Sequence, residues 1–149
     1  MSNYRRENYG QKKFSQTAAV PVRILFREDT YVDEAENVIK KLKGSNFRHG
    51  KDNLTTSQIR NLLSLISTIF NDLSFKEVSQ LTDKLSYLRI QIVYQSGRNA
   101  AVKDLVETGQ ILKLLEQVQT TKDKKTLVRF CHYFEALVAY FKYYGGQDK

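Results

Sequence analysis

From Thr30 onward, apolar residues recur at helical spacing. Val32, Ala35, Val38, Ile39 and Leu42 mark a first helix, which Thr30 and Asp33 open as a capping box and Gly44 stops. Thr55-Thr-Ser-Gln58 caps a second, whose apolar face is Ile59, Leu62, Leu63, Ile66, Ile69, Phe70 and Leu73. Ser74-Phe-Lys-Glu77 is the clearest capping box and predicts a third, with Val78, Leu81, Leu85, Leu88 and Ile92 as its seam. Asn99 caps a fourth, carrying Val102, Leu105, Val106, Leu112, Leu115 and Val118. Gly109 inside it costs about 1 kcal/mol against alanine, or allows a close helix approach. After a turn at Thr120-Thr-Lys-Asp123, the last helix bears Leu127, Phe130, Cys131, Phe134, Leu137, Val138, Phe141 and Tyr144, and stops at Gly145-Gly146. No segment alternates as a strand. The prediction is an all-α protein, a compact bundle of about five helices over 28–149, antiparallel after the second.

Two helices carry more apolar surface than one core face needs. At the end of the third, Leu88 and Ile92 continue the seam while Tyr87, Ile90 and Tyr94 begin a second stripe. A helix apolar on two sides needs two partners, or a core and a subunit contact. Gly97 is its expected stop. In the last helix, Tyr133, Tyr140 and Tyr143 lie off the core stripe, as interface tyrosines do.

Residues 1–27 have no sustained period and hold Pro21, the only proline; they predict a flexible basic tail. Six cations against Glu7 put +5 of the net +8 there. A second basic run, Lys40, Lys41, Lys43, Arg48 and Lys51, contains no acid between its ends. Such clusters fit polyanions, nucleic acid above all; solvated surface is the plain alternative. No apolar run approaches the roughly 20 residues that span a bilayer. The charged start lacks the apolar stretch of a signal peptide, and one cysteine gives no internal disulfide; both favour a reducing cytoplasm.

Catalytic chemistry is thin. His49 and His132 belong to no metal-ligand pattern, and no cofactor is implied. Cys131 falls on an apolar face, as a structural thiol does. Arg129 and His132, three apart on a helix, are neighbours. Helical RNases of the HEPN type use such a pair with four to six residues between, where this chain has two.

Binding chemistry is better represented. The loop 45–53 combines cations with Phe47, either a ring for an exposed base or an anchor filling the end of the bundle. Arg60 follows in the next helix, whose N-terminus offers backbone donors to an anion.

Leu54-Thr-Thr-Ser-Gln-Ile-Arg60, Tyr87-Leu-Arg89, Val93-Tyr-Gln-Ser-Gly-Arg98, Arg129-Phe-Cys, Tyr133-Phe-Glu-Ala-Leu-Val-Ala-Tyr140 and Tyr144-Gly-Gly146 occur in order. Together, over about 30–149, they resemble the small helical subunit of type III-A CRISPR–Cas effector complexes, the second protein of the Csm set. The resemblance implies an all-helical subunit without enzymatic activity. Several copies would lie along a ribonucleoprotein filament, beside the backbone subunits and the large subunit, facing target RNA as it pairs with the guide. Arg60, Arg89, Gln95, Arg98 and Arg129 match its blocks and are expected on the target strand; charge and loop placement add Arg48 and Lys51. The long basic start departs from the pattern. The competing classes are a helical assembly module with no direct RNA role, a small RNase using Arg129 and His132, and, more distantly, a membrane-surface helix.

Overall fold

The computed structural model describes residues 22–148. Among these are six α-helices: α1 (Tyr31–Lys43), α2 (Thr56–Asp72), α3 (Thr82–Arg98), α4 (Ala100–Thr108), α5 (Ile111–Thr121) and α6 (Lys124–Tyr143). A two-stranded antiparallel hairpin, β1 (Arg48–His49) and β2 (Asp52–Asn53), interrupts the loop between α1 and α2. The all-α expectation therefore holds apart from this hairpin.

The sixth helix arises where a single fourth helix was expected. Its backbone breaks at Gln110, which takes a left-handed φ of 54°. Gly109 lets two elements close on one another there. The Tyr133 hydroxyl donates to the Gly109 carbonyl at 2.8 Å, and a Cβ on Gly109 would lie 3.0 Å from the Leu105 carbonyl and 3.3 Å from that hydroxyl. Tyr133 is thus fully buried, not an interface tyrosine, whereas Tyr140 is half-buried and Tyr143 exposed.

α6 lies against α1, α2 and α5; α3 packs on α2, α4 and α5. Phe130, Tyr133, Phe134 and Phe141 of α6 are buried among Ile39, Ile59, Leu62 and Ile66. This reproduces the apolar stripes of the sequence, and burying each such side chain stabilises the fold by about 1.5–3 kcal/mol.

Some expected caps form and others do not. The Thr55 N–H donates to Gln58 Oε1 at 2.9 Å, and Asn99 Oδ1 accepts from the Ala101 and Val102 N–H groups at 2.8 and 3.0 Å. The Thr30 hydroxyl instead turns back to accept from the Arg27 N–H at 3.1 Å. The box expected at Ser74 belongs to the end of α2. There the Ser74 and Phe75 N–H groups close onto the carbonyls of Asn71 and Asp72. The chain enters α3 through a 3-10 turn, Val78–Leu81, with Gln80 Oε1 accepting from the Glu77 N–H at 2.9 Å. Gly97 sits inside α3, which Asn99 ends.

Of the expected tail, 1–21 lie outside the described residues. Residues 22–27 pack on the bundle, with Phe26 buried and edge-on to the Tyr133 ring at 5.9 Å. The buried Glu34 carboxylate holds this segment, accepting from the Leu25 and Phe26 N–H groups at 2.6 and 3.0 Å.

Candidate nucleic-acid interface

The hairpin is short but fixed at several points. Gly50 supplies a φ of +60° at its tip. Phe47 turns inward, 8% exposed, and its ring meets Phe141 edge-on at 4.8 Å, so it anchors the loop instead of offering a ring to a base. Both strands are tied to α4 and the residue that caps it. The Ala100 N–H donates to Asp52 Oδ2 at 2.8 Å, Asn99 Nδ2 donates to the Asn53 carbonyl at 3.2 Å, and His49 Nδ1 lies 2.8 Å from Asp104 Oδ2.

These ties bring four sequence-predicted cations to one end of the bundle. Arg48 and Lys51 ride on the hairpin, and Asn99, which holds it, directly follows Arg98 at the end of α3. α2 begins just beyond the hairpin and carries Arg60 in its second turn. All four side chains are exposed, and Gln95, one turn before Arg98, is half-buried. Arg98 is braced, its Cζ 5.6 Å from the centre of the Tyr94 ring. Such cations and an amide on a fixed backbone scaffold can meet a strand of phosphates.

The start of α2 does not have the free backbone donors expected of it. The C-terminal residues cover it: the Thr56 N–H donates to the Gln147 carbonyl at 2.9 Å and the Ser57 hydroxyl to the Asp148 carbonyl at 2.9 Å. The exposed Asp148 carboxylate takes a 2.9 Å bond from Lys142, which lowers its pKa below the ordinary 3.8, with smaller help from Thr56 and Arg60. Arg60 is therefore left as a side-chain contact beside a carboxylate of its own chain.

Two predicted residues stand apart from the cluster. Arg89 precedes Arg98 by nine residues in α3. That is about two and a half turns, so the two leave the helix on opposite sides. Arg129 lies twelve residues before Phe141 in α6, whose ring meets the hairpin anchor. At about 1.5 Å per residue this is some 18 Å along α6 from the residue that meets the hairpin anchor. Its guanidinium is engaged locally, with Nη1–H donating to the Phe26 carbonyl at 3.3 Å and Cζ 5.6 Å from the Phe26 ring. Arg129 anchors the 22–27 segment.

Arg129 and His132 do line one open cleft, of about 350 Å³, with Glu28, Tyr31, Lys124, Lys125 and Val128. The His132 ring leans on Phe70 at 5.3 Å between centres. Cys131 is buried, and desolvation pushes its thiol up to about 12, which suits packing and not nucleophilic attack. Among the described residues no group of three or more His, Cys, Asp or Glu side chains could hold a metal ion. None of their helices is long and apolar enough to cross a membrane. Sequence reasoning missed the supports, Asp52, Asn53 and Asp104. The turn residues Gly50 and Asn99 were legible signals, but their pairing crosses 46 positions or more.

The model of the family described as Csm2 Type III-A matches residues 29–147. A protein of Streptococcus thermophilus described as CRISPR system Cms protein Csm2 is 50% identical over 124 residues, 83% of this chain and 98% of the relative. One of the same description from Mycobacterium tuberculosis (strain ATCC 25618 / H37Rv) is 42% identical over 128 residues, 82% of this chain and 97% of its own. Another from Enterococcus italicus is 39% identical over 99 residues, 64% of this chain and 71% of its own. With the family match and the first of these relatives each spanning most of the sequence, this helical chain belongs to the Csm2 family of type III-A CRISPR systems.

Proposed function

We propose that this subunit is a non-catalytic rail for target RNA in a cytoplasmic Csm complex of antiviral defence. It lines and steadies the strand that pairs with the guide RNA. Its other neighbours are the backbone and large subunits and further copies of itself. The observation that carries the reading is the exposed set Arg48, Lys51, Arg60 and Arg98, with Gln95, at one fixed end of the bundle. A guide must accept any sequence, so a lining subunit gains by touching phosphates and sugars and leaving bases to pairing. Arg89 adds a contact on the other side of α3 for a strand that wraps it. Arg129, engaged with Phe26, contributes by holding its own chain together.

The test is a target-RNA titration of the reconstituted complex carrying Arg60→Ala or Arg98→Ala. Capture should weaken similarly for unrelated target sequences. The slope of log affinity against log salt should fall by roughly 0.7–0.9 for each phosphate that the variant no longer neutralises. A defect that depends on target base sequence, or unchanged capture by an intact complex, contradicts the proposal. A second reading, an assembly module without RNA contact, is favoured by the exposed apolar side of α3. It predicts that the arginine variants fail to assemble, or have no effect.

A further inference from the structure

The exposed cations at the hairpin end, Arg48, Lys51, Arg60 and Arg98, fit phosphates, and phosphates are the same in RNA and DNA. Guanidinium and ammonium groups also donate only. These four side chains therefore hold a strand without telling ribose from deoxyribose. A side chain of a different kind stands among them. His49 lies between Arg48 and the Gly50–Lys51 turn, its side chain 57% exposed, with Nδ1 2.8 Å from Asp104 Oδ2 of α4.

Asp104 is out of place if phosphate capture is the whole task of this end, because a carboxylate repels the strand. Its effect on His49 gives it a use. A carboxylate only accepts, so the hydrogen lies on Nδ1, and the neutral ring keeps its lone pair on Nε2. Nε2 has no protein partner among the described residues. The place of the ring is fixed by the hairpin as well. Asp52 stands opposite His49 in the strand pair and takes the Ala100 N–H at 2.8 Å, one turn before Asp104 along α4. The result is a positioned acceptor on an exposed ring, in the company of four cations.

We propose that His49 reads the ribose 2′-hydroxyl of the bound strand, the hydroxyl donating to Nε2 while Asp104 holds the tautomer. The 2′-hydroxyl is the group that tells RNA from DNA, and accepting from it takes a lone pair that arginine and lysine lack. The inference rests on the RNA-lining reading and deepens it. The cations supply attraction to any phosphate strand, and the imidazole supplies the choice of sugar. Asp104 is a positioning residue and touches no nucleotide itself.

The test is a cycle of protein variant against target sugar, read as capture by the reconstituted complex at about pH 8, where a free imidazole is neutral. One target is all ribose, and the other has the same sequence in 2′-deoxyribose. His49→Ala should weaken capture of the ribose target about fivefold, the net worth of a hydrogen bond, and leave the deoxy target unchanged. Asp104→Ala should narrow the same preference and tighten the deoxy target, since a carboxylate has left its phosphates. A merely structural tie gives another pattern, in which both variants loosen the hairpin and weaken both targets alike. Equal weakening of the two targets by His49→Ala, or a sugar preference that it leaves unchanged, overturns the proposal. Arg60→Ala and Arg98→Ala, run in parallel, keep that outcome apart from failure of the rail itself, in which those two variants capture both targets as the wild type does.

Discussion

The backbone of Gly146 runs against the Phe141 ring, and its N–H donates to the Phe141 carbonyl at 2.8 Å. A Cβ there would overlap the ring, so Gly146→Ala should cost about 1–3 kcal/mol and lower the melting temperature measurably. Tyr133→Phe should cost about 1 kcal/mol in a denaturant titration, because it leaves the Gly109 carbonyl without its buried donor. Charged side chains give a pH signature. Asp123 accepts from the Thr126 hydroxyl and N–H, which lowers its pKa below the ordinary 3.8; Asp72 is lowered by its bond to Lys84. Their folded values lie below the unfolded one, so this stabilisation is complete above about pH 4 and is lost as pH falls through the folded values. Acid unfolding should therefore steepen below pH 4, and Asp123→Asn should flatten it. The sequence told Cys131 from a nucleophile by its apolar face, and the thiol is buried. It could not tell Arg129 from Arg98, since both match the same resemblance and differ only in what folds beside them.

The hairpin and the α3–α4 junction act as one unit. Asn99 caps α4 and also donates to the hairpin at the Asn53 carbonyl, so Asn99→Ala removes both at once. It should cost about 1 kcal/mol of stability and speed amide exchange over 48–53. Asp52→Ala, which frees the Ala100 N–H, should give the same exchange change. Helix identities were legible because stripes such as Ile59, Leu62, Ile66 and Ile69 repeat at 3.6 residues and fill the core. Boundaries were less so. The Ser74 box has the right letters, but Ser74 is already in the turn that closes α2. The division of α4 from α5 depends on Tyr133, which follows Gly109 by 24 positions. The hairpin has two residues in each strand, too few for alternation to register.

Across the bundle, charge is placed by topology. Arg98 lies 38 or more positions from Arg48, Lys51 and Arg60, and the antiparallel passage of α2 and α3 with the tied hairpin brings it to their end of the bundle. Arg129 sits toward the other end beside Phe26. The account's central claim is that target RNA runs along the first end. Site-specific photo-crosslinking in the assembled complex tests it most directly, with a crosslinking amino acid placed in turn at Lys51, Arg98 and Lys125, and labelled target RNA added. The account predicts RNA crosslinks from Lys51 and Arg98 and none from Lys125. Crosslinks from Lys125 with silence at Lys51 and Arg98 would contradict it.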